Sequence, residues 1–124
     1  KNIKLLFVDA NWKDKETFAA EILKHIEPGD HDIITTRMDN DDAISLDFVE
    51  KIHYWHAPKP ERWMISFPYG VVLDLNSKQM LPIEYMCNHF PTVIESSRNA
   101  KTVISWDHYA IDVKARNMIF GGFY

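Results

Sequence analysis

The chain has 124 residues, of which 46% are hydrophobic and 13% aromatic; that is enough to bury the core of one domain spanning residues 1–124, and it excludes a disordered chain. A formal net charge of −4 without clustered Lys or Arg argues against nucleic acid as a partner. The single cysteine, Cys87, excludes an internal disulfide framework and suits a reducing compartment, so cytoplasm is the expected location.

No apolar run approaches the roughly 18 residues of a transmembrane segment. The chain opens KNIKLLFV, without an initiator Met and almost at once inside a predicted strand, which leads to the expectation of a fragment or processed piece. Ile3 to Asp9 reads as a strand covered on both faces. Asp14 then precedes a helical pattern in which Phe18, Ile22 and Ile26 recur every four residues, with Ala19 and Leu23 alongside, ended by Pro28-Gly29. Asp32 to Thr36 supplies a second apolar strand, so residues 3 to 37 are predicted to form a βαβ unit with parallel strands.

Ile44, Phe48, Val49, Ile52 and Trp55 fit one face of a second helix, which Pro58 and Pro60 terminate. Beyond it, WMISF (63–67), VVLDL (71–75) and KQMLPI (78–83) are short and β-rich. Pro68-Tyr69-Gly70 and Asn76-Ser77 separate them, which predicts an antiparallel hairpin or meander. Residues 84 to 101 carry no clear period, TVISW (102–106) reads as a strand leading into Asp107-His108, and the final IDVKARNMIFGGFY has no assignment. The expected fold class is α/β: a βαβ unit, an antiparallel β segment and a C-terminal mixed region.

Residues 35 to 42, TTRMDNDD, place Asp39, Asp41 and Asp42 at the carboxyl end of the second predicted strand. Carboxylates this close resist ionising together unless solvent, donors or a cation compensate them. Two readings stand side by side. In one, Asp39 and Asp41 share a hard divalent cation, Mn²⁺ or Mg²⁺, at the strand end where ligands of open parallel sheets gather, and Arg37 braces the loop or meets an anion. In the other, Asp41 or Asp42 caps the following helix and Asp47 favours its first turn.

The stretch ITTRMDNDDAISLDFVEKI resembles the motif region of GT-A glycosyltransferases, in particular a rhamnosyltransferase-like group with the pattern TTR, a hydrophobic residue, then DNDDA before a helix. The likeness extends more loosely through FPYGVVLDLNSKQMLPIEYMCNHFPTVIES and on to SWDH. It implies a partial GT-A fold whose aspartate-bearing part is this chain. It also implies transfer of a hexose, rhamnose among the candidates, from a nucleotide-sugar donor to a glycan or other hydroxyl acceptor. Asp39 and Asp41 would hold Mn²⁺ or Mg²⁺ against the donor diphosphate, with Arg37 beside them. His108 would be a third metal ligand or diphosphate contact.

For a base that deprotonates the acceptor, Glu95 and Asp107 are the available carboxylates, with Glu84 a weaker third. His53 and His56 at helical spacing lack a Cys or carboxylate nearby to complete a metal site, and Cys87-Asn88-His89 lacks an orienting third group. A phosphatase with an aspartyl nucleophile fits poorly, because Thr35-Thr36 lie on the wrong side of the aspartates. The rival from another class is a non-catalytic module: a truncated transferase relic, or a carbohydrate- or protein-binding domain.

Overall fold

A computed structural model describes residues 6–9, 11, 13–56, 63–85 and 90–105, together with the backbone of 118–120. Helix α1 spans Lys15–Leu23, strand β1 Asp32–Thr36, helix α2 Phe48–Trp55, strand β2 Trp63–Ser66, strand β3 Tyr69–Asp74, strand β4 Gln79–Glu84 and strand β5 Thr92–Ser96. A 3₁₀ turn at Val103–Ser105 precedes β6, Met118–Phe120. One sheet has the order β1-β5-β2-β6, and β3 with β4 forms a separate hairpin.

Among the described residues, the main sheet does not contain the predicted βαβ unit. Leu6 to Asp9 carry no strand structure and Phe7 is 89% exposed, while residues 3–5 lie outside the described residues. The neighbour of β1 is instead β5, antiparallel, with Ile34 opposite Ile94 and Thr36 opposite Thr92. An apolar run signals burial without naming its ladder partner, and here Thr92, Val93 and Ile94 supply a β-branched run that packs well on a pleated surface. β5 also pairs antiparallel with β2, and β2 pairs parallel with β6. The result is an α/β architecture whose main sheet combines antiparallel pairs with the parallel β2-β6 pair, beside an antiparallel hairpin.

Both faces of the main sheet are covered. On one, Phe48 and Ile52 of α2 pack with Ile65, Phe67 and Ile94, flanked by Ile34, Trp63 and Phe90. On the other, Met64 and Val93 pack with Val103 and Ile104 of the 3₁₀ turn, against which α1 lies. Alternation along each strand explains the division: Ile34, Ile94 and Ile65 point one way, and Val93 and Met64 the other.

Helix α1 starts where its cap dictates. Asp14 accepts the Thr17 amide at 3.1 Å and the Thr17 hydroxyl at 2.6 Å. The hydroxyl first, and the amide next, hold the Asp14 carboxyl below its ordinary value of 3.8. The sign follows from linkage: the ionised cap contributes fully above that unfolded value, and its contribution is lost as pH falls through the depressed folded one. Amide exchange at Thr17 and Phe18 should therefore accelerate in wild type as pH drops from about 4 to about 2, after correction for intrinsic rates. Asp14→Ala should be unprotected throughout; equal protection in the two proteins would show that the cap contributes nothing.

The hairpin follows the sequence closely. Its turn uses Asp74, whose side chain accepts the Asn76 amide at 2.9 Å and the Ser77 hydroxyl at 2.6 Å, and Lys78 adopts a positive φ of 56°. The Tyr85 amide donates to the Pro68 carbonyl at 2.7 Å, which makes that pair hydrogen-bonded and, by alternation, leaves Val71 opposite Pro82 as a non-hydrogen-bonded pair. β2 belongs to the main sheet, so no three-stranded meander forms.

Candidate functional site

The three residues that lead into the acidic turn each do something different. Thr35, on the face carrying the 3₁₀ turn, accepts the Val103 amide at 2.8 Å. Thr36, on the α2 face, shares a hydroxyl hydrogen bond of 2.9 Å with Thr92. Arg37 ends the ladder by donating its amide to the Pro91 carbonyl at 3.2 Å, while its guanidinium Nη2 lies 3.4 Å from Asp39 Oδ1. Both partners of that ion pair are more than a third exposed, so it orients the turn and adds less than about 1 kcal/mol of stability.

The acidic segment is a tight turn closed by the Asp42 amide on the Asp39 carbonyl at 3.3 Å. Asp39, Asn40 and Asp41 are exposed at the carboxyl end of β1. The capping reading of Asp41 and Asp42 fails on distance along the chain. Helix α2 begins only at Phe48, whose amide goes to the Ser45 carbonyl at 3.0 Å. Its cap residue is Asp47, and even that side chain makes no capping bond. Asp47 instead pairs with Lys51 at 3.1 Å, and its carboxyl is held below the ordinary range by the Ser45 hydroxyl first and by Lys51 next. Ala43 to Leu46 thus separate the turn from the helix, which the pattern had joined directly.

Other sequence candidates fall in different places. Glu95 lies on β5 against the 3₁₀ side of the sheet, 2% exposed, far from the character of a solvent-facing base. Glu84 ends β4 and is exposed. His53 is exposed, whereas His56 Nε2 sits 2.8 Å from Asp32 Oδ2, tying the end of α2 to the start of β1. Asp107, His108, Cys87 and His89 lie outside the described residues. The described part of TVISW, residues 102–105, is not a strand: Val103–Ser105 coil into the 3₁₀ turn because the Thr35 hydroxyl takes the Val103 amide and Ser105 N bonds the Thr102 carbonyl at 3.3 Å. Among the described residues no three His, Cys, Asp or Glu side chains converge as a metal site.

Thr35, Pro91, Thr92 and Thr102 contribute to this end of the sheet without being conspicuous in the sequence. The signal available for the first was the TTR triplet itself, since adjacent strand residues face opposite ways and two threonines there serve two different layers.

A family model described as "Putative rhamnosyl transferase" matches residues 2–119. The chain belongs to this family. No curated protein and no solved structure matches significantly. Membership in the rhamnosyl transferase family indicates sugar transfer as the general activity, with a sugar donor and an acceptor as its reactants. The family match spans the acidic turn, β5 and the 3₁₀ turn alike. Among the described residues no helix is long and apolar enough to cross a membrane.

Proposed function

We propose that the chain is the donor-binding part of a metal-dependent glycosyltransferase of GT-A type, moving a hexose such as rhamnose from a nucleotide-sugar to a glycan or other hydroxyl acceptor. The observation that carries this reading is the exposed Asp39-Asn40-Asp41 turn at the carboxyl end of β1, free of any capping duty, in a chain of the rhamnosyl transferase family. Asp39 and Asp41 would hold Mn²⁺ or Mg²⁺. Their carboxylates suit a hard cation, and two side chains leave most of an octahedron to water and donor diphosphate oxygens. A divalent ion held there would supply charge neutralisation for the departing nucleoside diphosphate.

The chain's own groups have distinct parts in this scheme. Arg37 keeps Asp39 oriented and offers a fork of donors to a phosphate oxygen. Asp107 would serve as the base for the acceptor hydroxyl, and His108 would hold the metal or the diphosphate. The direction of the described chain supports the latter: Lys101 and Thr102 bond to Glu95, which is opposite Ile33, and Val103 then bonds to Thr35. The segment therefore advances along β1 toward the end that carries the acidic turn.

The test is thermal denaturation with UDP, GDP or dTDP, each with and without Mn²⁺. A ligand held only by the native state at about 100 times its Kd adds about 2.7 kcal/mol, a rise of several degrees in midpoint. One nucleoside diphosphate should raise it in the presence of Mn²⁺ and leave it unchanged without. Absence of any metal-dependent rise would favour a non-catalytic carbohydrate- or protein-binding module.

A further inference from the structure

The chain leaving β5 doubles back over the sheet and is tied down at two levels. At the first, a single carboxylate oxygen, Glu95 Oε2, accepts the amides of Lys101 and Thr102, both at 2.8 Å. At the second, one residue further on, Thr35 accepts the amide of Val103. Thr102 between them is 0% exposed, adopts φ of 65°, and buries its hydroxyl without a hydrogen-bond partner among the described residues. A β-branched residue in the left-handed region and an orphaned hydroxyl are both unfavourable, so this conformation persists only because its surroundings impose it. The two bonds to Glu95 are the imposing contact.

We infer that Glu95 is a positioning residue: its carboxylate sets the left-handed turn at Thr102 and, with Thr35, the line along which Lys101–Ser105 travels toward the acidic-turn end of the sheet. A base must reach the acceptor hydroxyl, and a carboxylate 2% exposed with one oxygen holding two amides is built to hold backbone. The same reasoning gives Thr35 a paired task, and so links the first residue of the TTR triplet to the stretch that precedes Asp107 and His108. The consequence for sugar transfer rests on the function proposed above; the tie itself does not.

The two are separated by reading both amide exchange and Mn²⁺-dependent nucleoside diphosphate binding in wild type, Glu95→Gln, Glu95→Ala and Thr35→Val. Gln retains an oxygen that can accept both amides, so E95Q should keep Lys101 and Thr102 protected and bind within about threefold of wild type. E95A should lose protection at both amides by about tenfold or more and weaken binding, and T35V should unprotect Val103 selectively. Rescue by Gln is the signature of positioning, since a base or a metal ligand would be lost equally in Gln and Ala. Should E95A fail to fold, E95Q still decides: a folded E95Q that loses either the two amide protections or the binding overturns the assignment. Wild type that shows no metal-dependent binding would refute the proposed function, while the amide pattern would still confirm or refute the clamp.

Discussion

Asp41→Asn should weaken metal-dependent nucleoside diphosphate binding by on the order of 100-fold, about 2.7 kcal/mol, while leaving the denaturation midpoint of the ligand-free protein at or slightly above that of wild type. The substitution keeps the shape of an exposed turn residue and removes one charge. The turn is closed by backbone, through the Asp42 amide on the Asp39 carbonyl, and its ion pair uses Asp39. Folding therefore has little invested in the Asp41 carboxylate, whereas a cation site of two carboxylates would lose half its protein charge. Asp47→Asn is the control, because Asp47 is occupied by Ser45 and Lys51 near the helix. Calorimetric titration of Mn²⁺ with the diphosphate present separates the cases. Unchanged affinity in Asp41→Asn, or an equal loss in Asp47→Asn, would remove the turn from the site.

A second large effect concerns stability. Ile65 is 0% exposed in the middle of β2 and packs in the cluster of Phe48, Ile52, Phe67 and Ile94. Truncation to Ala should cost about 3 kcal/mol, within the range for a buried Ile whose cavity cannot fully collapse. Leu73→Ala in β3 should cost less than about 1 kcal/mol, since Leu73 is 50% exposed and, among the described elements, its hairpin packs chiefly on itself. Urea titrations with an unchanged slope would give both values. Comparable losses at the two positions would mean that the hairpin is as much a part of the cooperative unit as the central sheet.

How far the sequence led depended on whether local chemistry or a distant partner decides each element. The helix start at Asp14, the apolar strand β1 and a turn at Asn76-Ser77 are decided locally and are legible in the sequence, while the bonds of Asp14 to Thr17 and of Asp74 to Asn76 and Ser77 appear only in the structure. β5 is not legible, although it is the strand between β1 and β2: its three apolar-facing residues are followed by Glu95, which looks like a solvated charge until Lys101 and Thr102 are seen folding back onto it. TVISW reads as a strand by composition, yet its Val103–Ser105 form a 3₁₀ turn because Thr35, 68 residues away, takes the Val103 amide. The acidic turn lies at the end of β1 as its sequence position implies, while α2 begins later than the helical period suggests, because Ile44 continues that period without joining the helix. Asp107 enters as an available carboxylate and His108 through the family resemblance, and both lie outside the described residues.

The pairing of Val71 with Pro82 in the hairpin has a consequence for how the protein meets other chains. In a non-hydrogen-bonded pair the backbone groups of both residues face outward, so the missing N–H of Pro82 falls in the middle of the outer margin of β4. A foreign strand laid along that margin finds no donor at its centre, and Glu84 adds a charge at its end. The margin of β3 has no such interruption: Tyr69, Val71 and Leu73 present their amides and carbonyls there, between exposed apolar side chains. Proline thus blunts one flank of the hairpin against fibril-like stacking and leaves the opposite flank as the side on which unwanted self-association would begin.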